Sequence, residues 1–227
     1  SLLSIFDKIL EKLMYKRLVA FWSKSNIFFK HQYGFRENHS TIHALTEVTD
    51  YIYKSLDEGF YVLGLFLDVS KAFDCVNHNT LLYKLYHYGI RGTIHDWFRS
   101  HLTDRTQFVD VNTVHSRTEF VRCGVPQGSS LGPLLFILYI NDLPNATKNG
   151  DMRLFADDTN HFIRSKVYNT VQAEAETEFR NIISWMNSNH LTINYKKTNF
   201  TVFSPKGKTV SQQYFNNIQV DTRQIFK

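Results

Sequence analysis

Apolar residues recur at every third or fourth position over several stretches of this 227-residue chain, which is the spacing of one face of an α-helix. Ser40 precedes one such stretch and Gly59 follows it, as a helix N-cap and a helix stop do. A later stretch is apolar on almost every side, so it predicts a helix inside the fold that ends at Pro144. The predicted helices span about residues 3–18, 40–56, 77–88, 94–102, 131–143 and 171–186.

A run of aromatic and branched residues at 61–69 predicts a central strand that is buried on both faces and leads into Asp68. Residues 152–163 predict a hairpin with a tight turn at Asp157 and Asp158, because Asp-Asp between apolar flanks favours a turn. Shorter strands are predicted at about 107–111, 119–123 and 199–203. The predicted fold class is therefore α+β, an antiparallel sheet backed by helices.

Composition narrows the range of partners. The formal net charge is +5, which favours an acidic partner such as nucleic acid over a basic surface without a partner. Cys75 and Cys123 are too far apart for a CxxC motif, and we interpret them as free thiols in a reducing compartment. The longest apolar run, 134–140, is far shorter than the roughly 20 residues that a membrane helix requires, so no membrane span is predicted.

Three aspartates are the candidate catalytic residues. Asp68 lies at the end of the buried strand, and Asp157 and Asp158 lie at the hairpin turn, which neighbouring strands would bring to the same edge of the sheet. Each feature taken singly is ordinary. Ionised carboxylates at about 4 Å repel by roughly 4 kcal/mol at an effective dielectric near 20, so such a cluster requires cations or must bind protons. Oxygen ligands of this kind suit Mg²⁺.

Five segments of the chain resemble the motifs of one polymerase family. Three of them are similar to the central palm motifs of reverse transcriptases, and the other two indicate the non-LTR (LINE-type, jockey-like) retrotransposons, a similarity that covers Ser1 to Lys227. These segments are LDVSKAFD (67–74), GVPQGS (124–129), FADD (155–158), QYGFR (32–36) and LTINYKKT (191–198). The resemblance implies a right-hand polymerase palm and an RNA-directed DNA polymerase that adds dNTPs to a primer 3′-hydroxyl.

The resemblance also implies the metal ligands. Asp68 and Asp157 would bridge two Mg²⁺ ions, for which Mn²⁺ is a possible substitute. Asp158 would act near the primer end, and the backbone carbonyl of Val69 would complete one coordination shell. Two ions about 3.5–4 Å apart can activate an attacking hydroxyl and stabilise the leaving phosphate.

Further residues are implied to bind the nucleotide. Phe73, five positions after Asp68, would exclude a ribose 2′-hydroxyl, although without the motif a core aromatic is the simpler interpretation. Arg36 would bind the triphosphate through its planar guanidinium, the alternative being an ordinary surface arginine. Gln127 and Gly128 would contact the nucleotide or the template. Lys197, or its neighbour Lys196, would lie near the leaving pyrophosphate.

The same resemblance assigns residues 1–60 to part of the fingers and 61–227 mainly to the palm, truncated before the thumb. The expected partners are an RNA template, a DNA primer, dNTPs and the remainder of a parent polyprotein, including an endonuclease and the thumb. Two alternatives stay open at this point: an inactive nucleic-acid-binding fragment of a decayed retroelement, and an RNA-dependent RNA polymerase. Phe73 and Ala156 argue against the RNA polymerase, which tends to carry other residues at these positions.

Overall fold

The computed structural model describes residues 5–112, 114–126 and 128–208, together with two short strands at 219–220 and 223–224. The helices in these ranges are α1 (Ile5–Lys24), α2 (Thr41–Asp57), α3 (His78–His87), α4 (Thr93–Leu102), α5 (Leu131–Tyr139) and α6 (Tyr168–Ser188). The strands are β1 (Tyr61–Leu67), β2 (Thr106–Gln107), β3 (Asp110–Val111), β4 (Val114–His115), β5 (Glu119–Phe120), β6 (Asp151–Phe155), β7 (Asp158–Ser165), β8 (Asn199–Phe203), β9 (Gln219–Val220) and β10 (Arg223–Gln224). Short 3₁₀ turns lie at Ala72–Cys75 and Leu143–Ala146.

Local capping determines where two of the helices begin. The Ser40 side chain accepts a hydrogen bond from the His43 backbone N–H at 3.3 Å, which confirms the predicted N-cap of α2. The Asn77 side chain accepts from the Thr80 N–H at 3.0 Å and caps α3 in the same way. These starts were predictable because each cap depends on residues only three positions apart.

The predicted end of the buried helix was wrong. Residues of α5 other than Pro133 are buried as expected, but the helix ends at Tyr139 rather than at residue 143. The Tyr139 carbonyl accepts a 2.7 Å hydrogen bond from the Lys84 ammonium, a donor that no helix-end signal in the local sequence reveals. Pro144 lies in the following 3₁₀ turn and does not end the helix.

The region between α4 and α5 also differs from the prediction. Instead of two strands, it holds four strands of two residues each, which pair as β2 with β5 and β3 with β4. Their residues are exposed, and Asn112 turns the chain between β3 and β4 with a φ of +49°. Without a buried face, the alternating pattern has no core to select a longer strand.

A four-stranded antiparallel sheet confirms the predicted fold class. Its strand order is β6-β7-β1-β8, so β1 is an inner strand, as its apolar sequence predicts. Helix α6 packs against β1 and β7, and helix α2 packs against β1 and β6. The α2 contact buries Ile52 with Val62 and Phe162. No helix in the described residues has both the length and the apolar character needed to cross a membrane.

The chain forms two compact units. One contains α1 and the elements between Lys71 and Ile140; the other contains the elements between Phe29 and Ser70, and those from Asn141 through the four-stranded sheet. The boundaries of these compact units differ from the predicted boundary between fingers (1–60) and palm (61–227). The fingers and palm are functional regions, and their assignment stays a prediction.

Candidate active site

The hairpin between β6 and β7 carries two of the three aspartates. β6 ends at Phe155 and β7 begins at Asp158, which pairs with Phe155, so the turn itself consists of Ala156 and Asp157. The predicted turn is therefore displaced by one residue toward the N-terminus. Ala156 has a φ of +55°, in the left-handed region that residues other than glycine seldom adopt.

Asp68 lies at the same end of the sheet as this turn. It directly follows Leu67, the last residue of β1, and Leu67 pairs with Thr159 of the neighbouring strand β7. One step further along the pair, Asp68 comes next to Asp158. Adjacent strands thus bring together residues that are about 90 positions apart in the chain, as expected from the sequence.

Asp158 lies where its negative charge is disfavoured. The pKa of Asp158 is raised above its usual range, first because burial disfavours the charged form and then because the negative charges of Asp157 and Asp68 are close. Lys197 opposes this shift. Its Nζ lies 3.7 Å from Oδ1 of Asp68. The end of the sheet therefore combines excess negative charge with one nearby lysine.

The chain after β1 is bound to the segment that carries Lys197. Val69 and Ile193 form an isolated antiparallel bridge, in which the Ser70 N–H donates to Thr192 O and the Asn194 N–H donates to Asp68 O, both at 2.8 Å. Neither of these two hydrogen bonds uses the Val69 carbonyl. The link explains how residues 191–198 reach the aspartates.

The donor set fits a hard divalent cation, because the three carboxylates and the Val69 carbonyl are all oxygen ligands. Among the residues that the structure describes, no three or more His, Cys, Asp or Glu side chains are arranged so that they could hold a metal ion, and this includes the three aspartates. The fit to Mg²⁺ therefore rests on the oxygen chemistry of these residues.

Arg36 has a structural role in addition to its predicted one. Its NH1 group donates to the backbone carbonyls of Phe29 and Gln32 at 3.1 and 3.3 Å, which closes the turn before the QYGFR segment. Burial lowers the pKa of the guanidinium, and the nearby Tyr33 opposes that shift. Its contact with a triphosphate stays a prediction.

Two predicted nucleotide-binding residues, Phe73 and Gly128, belong to the compact unit that contains α1, whereas the three aspartates belong to the unit that contains the four-stranded sheet. The half-buried Phe73 ring packs on Phe136 with its centroid 4.4 Å away, and the Phe73 carbonyl accepts from the Val125 N–H at 2.9 Å. Gly128 has a φ of +83°, which favours glycine at this turn. Gln127 lies outside the described residues.

Sequence reasoning missed a buried carboxylate next to this loop. Glu11 of α1 is 1% exposed; its Oε1 accepts from Ser129 Oγ at 2.6 Å and its Oε2 accepts from the Ser130 N–H at 2.9 Å. Ser129 Oγ in turn accepts from the Leu131 and Gly132 N–H groups at the start of α5. The available signal was weak, since a single glutamate in an amphipathic helix is usually exposed.

An antiparallel sheet backed by helices, with aspartates at the adjoining ends of two central strands, defines the palm of a nucleic-acid polymerase. Solved structures with a similar fold include apo telomerase from Candida tropicalis truncated from its C-terminal domain, at a TM-score of 0.62 and 12% identity, covering 89% of this chain and 42% of that one. A telomerase from Candida albicans aligns at a TM-score of 0.58 and 14% identity, covering 90% and 34%. At these identities the likeness concerns the fold alone.

The family described as reverse transcriptase (RNA-dependent DNA polymerase) matches residues 1–222, and the chain belongs to this family. Similar proteins from Drosophila melanogaster include the probable RNA-directed DNA polymerase from transposon BS, 33% identical over 87% of this chain, and that from transposon X-element, 32% identical over 97%. The polymerase from mobile element jockey is 28% identical over 100% of the chain. These non-LTR relatives confirm the predicted resemblance. The chain spans 22–25% of their length.

Proposed function

We propose that this chain is the catalytic core of an RNA-directed DNA polymerase that acts in retrotransposition. The observation that carries the proposal is the placement of Asp68, Asp157 and Asp158 at one end of the β1–β7 pair, where burial and then the charges of the other two carboxylates raise the pKa of Asp158. Clustered carboxylates of this kind are suited to hold cations at the site of phosphoryl transfer.

Asp68, Asp157, Asp158 and the Val69 carbonyl are the proposed ligands of two Mg²⁺ ions, with Asp158 nearest the primer end. When bound, such ions activate the primer 3′-hydroxyl and stabilise the leaving phosphate oxygen. The acidic side chains would hold the cations beside the triphosphate, and Asp158 would have to be deprotonated for that role. Mn²⁺ carries the same charge and accepts the same oxygen ligands, so it is a proposed substitute.

Lys197 is the proposed source of positive charge at the departing pyrophosphate. The Lys197 side chain is 69% exposed and its Nζ lies 3.7 Å from Asp68 Oδ1, so the ammonium group can move toward an incoming phosphate without losing a buried contact. An ammonium group there can neutralise developing charge or donate a proton. Arg36 is proposed to bind the triphosphate from the QYGFR segment.

By the family resemblance, Phe73 excludes the ribose 2′-hydroxyl and thereby selects dNTPs, while Gln127 and Gly128 contact the nucleotide or template. The net charge of +5 supports binding of an RNA template and a DNA primer. Residues 1–60 are proposed to form part of the fingers, 61–227 mainly the palm, and the rest of a parent polyprotein to supply the thumb and an endonuclease.

The test is primer extension on an RNA template with dNTPs and Mg²⁺, by this chain and by a longer protein that contains it. We expect extension by the longer protein, reduced by about 10³-fold or more in Asp157→Asn because ligand loss removes several kcal/mol of transition-state stabilisation. Asp50→Asn, an exposed aspartate of α2, is the matched control and retains activity.

Equal extension by Asp157→Asn and the unsubstituted protein contradicts the metal assignment. If the folded longer protein binds primer and template but does not extend the primer, the polymerase proposal fails and a binding-only role replaces it. Extension on a DNA template alone contradicts the proposed template class.

A further inference from the structure

The turn that presents Asp157 is held by a segment far away in sequence. Residues 31–33 run beside β6, where the Leu154 N–H donates to His31 O at 2.9 Å and the Tyr33 N–H donates to Leu154 O at 2.8 Å. Gly34 then reaches Ala156 so closely that a Cβ on Gly34 would be 2.8 Å from Ala156 Cα and closer still to its nitrogen. All of these residues belong to one compact unit.

Gln32 connects this segment to the turn through its side chain. Its Oε1 accepts from the Gly34 N–H at 2.9 Å and from the Ala156 N–H at 3.1 Å. Gln32 is 1% exposed and Ala156 is 6% exposed, so water cannot easily replace the oxygen as an acceptor. Gln32 Nε2 has no hydrogen-bond partner among the described residues. The amide oxygen is thus the part of Gln32 that the turn uses.

The conformation of Ala156 gives this hydrogen bond its importance. A φ of +55° brings Cβ of an L-residue too near the backbone, and other interactions must hold such a residue there. Ala156 directly precedes Asp157, so its backbone angles determine the direction in which the Asp157 side chain leaves the turn. A change at Ala156 is transmitted to the carboxylate without any contact between Gln32 and the carboxylate.

We propose that Gln32 is a positioning residue for the acidic site: its side-chain oxygen holds the Ala156 N–H, keeps the turn in its left-handed conformation and thereby aims Asp157 at the metal. The metal part of this inference rests on the proposed function. Loss of an outer residue that orients a metal ligand typically weakens metal affinity by about 10–100-fold. A residue that only fills space would change stability and leave that affinity unaltered.

The experiment compares Gln32→Met, Gln32→Glu and Gln32→Asn in the 227-residue chain. Methionine retains the length and removes the oxygen, glutamate retains an oxygen acceptor at the same reach, and asparagine shortens the side chain and withdraws the oxygen. Gln107→Met, at an exposed position of β2, is the matched control. Two readouts are taken from folded protein: hydrogen exchange of the Ala156 amide, and binding of Mn²⁺ alone, followed by electron paramagnetic resonance.

For Gln32→Met we expect exchange at Ala156 to be at least about tenfold faster and Mn²⁺ binding to be about tenfold weaker. Gln32→Glu and Gln107→Met should retain slow exchange at Ala156. Gln32→Asn should show the same two changes as Gln32→Met. If Gln32→Met does not fold, Gln32→Asn tests in its place whether the oxygen holds the turn.

Unchanged Mn²⁺ affinity in a folded variant that lacks the oxygen overturns the inference, as does unchanged exchange at Ala156. If the unsubstituted chain binds no Mn²⁺, the metal assignment of the proposed function fails and Gln32 has no metal to position. The exchange measurement then still decides separately whether Gln32 holds the turn.

Discussion

Lys196 and Lys197 are adjacent, yet their contacts differ. Lys197 Nζ lies 3.7 Å from Asp68 Oδ1, whereas the Lys196 backbone N–H donates to Asn194 Oδ1 at 3.2 Å and helps to shape the turn. The sequence left the choice between the two lysines open. The geometry favours Lys197 as the neighbour of the acidic site, since its charged group is the one that reaches an aspartate.

We therefore expect Lys197→Gln to lower the rate of nucleotide addition by about 10²-fold, the usual contribution of a positioned acid–base group. Lys196→Gln is the matched control and should retain nearly the full rate. Single-turnover primer extension by the longer protein measures both. Stability should hardly change, because an ion pair whose lysine side chain is 69% exposed contributes little to folding. Equal losses in the two variants would contradict the assignment.

At the scale of elements, the QYG segment (32–34) and β6 pair and pack closely against each other. The segment pairs with β6 through residues on both sides of Gln32, and Gly34 packs on the backbone of Ala156. The sequence identified QYGFR as a motif, but it indicated only Arg36 as the functional residue. The residue that Gln32 contacts, Ala156, lies 124 positions further along the chain, so no local pattern could reveal the contact.

Gly34→Ala tests whether the close packing of this segment on the turn matters for stability. The added Cβ meets backbone atoms of Ala156, which cannot move aside like the end of a flexible side chain, so we expect destabilisation of about 3 kcal/mol or more. Gly59→Ala is the control: it meets no atom within 4 Å and carries only the strain of a φ of +80°, about 1 kcal/mol. Urea unfolding monitored by circular dichroism compares them. An equal effect of the two substitutions would show that the close packing at Gly34 does not matter.

The ends of elements show where local reasoning is sufficient. Ser40 and Asn77 each cap a helix through a residue three positions later; Ser40 was predicted as a cap, and the helix that Asn77 caps was predicted to begin at about residue 77. The end of α5 was not predicted, because the Tyr139 carbonyl there accepts from Lys84, which lies 55 positions away in the chain. Likewise, Glu11 holds Ser129 across 118 positions.

At the scale of the whole molecule, buried histidines link folding to pH. His161 is fully buried in β7, and burial lowers its pKa against the opposing influence of Glu178. Burial also lowers the pKa values of His31 and His101. In each case the unfolded chain binds a proton more readily than the folded one. The contribution of these neutral histidines to the free energy of unfolding is therefore fully present above the unfolded pKa near 6.5, and it is lost as the pH falls below that value.

For His161→Gln we expect the free energy of unfolding to depend less steeply on pH below about 6.5, by up to about 1.4 kcal/mol per pH unit, which corresponds to one proton. Urea unfolding at intervals between pH 7.5 and about 5 measures this slope. The exposed His43→Gln is the control. Parallel pH profiles for His161→Gln and the unsubstituted chain would exclude His161 as the linked group.

The sequence by itself determined the helices, the inner strand, the hairpin and the family, because periodicity, caps and motif residues are encoded over a few neighbouring positions. It also indicated the three aspartates. Only the tertiary structure decided that Leu67 pairs with Thr159, that Gln32 and Gly34 hold the turn at Ala156, and that Lys197 is the lysine beside Asp68. These contacts join residues that are distant in the chain, so they arise from how strands pair and pack rather than from any local pattern.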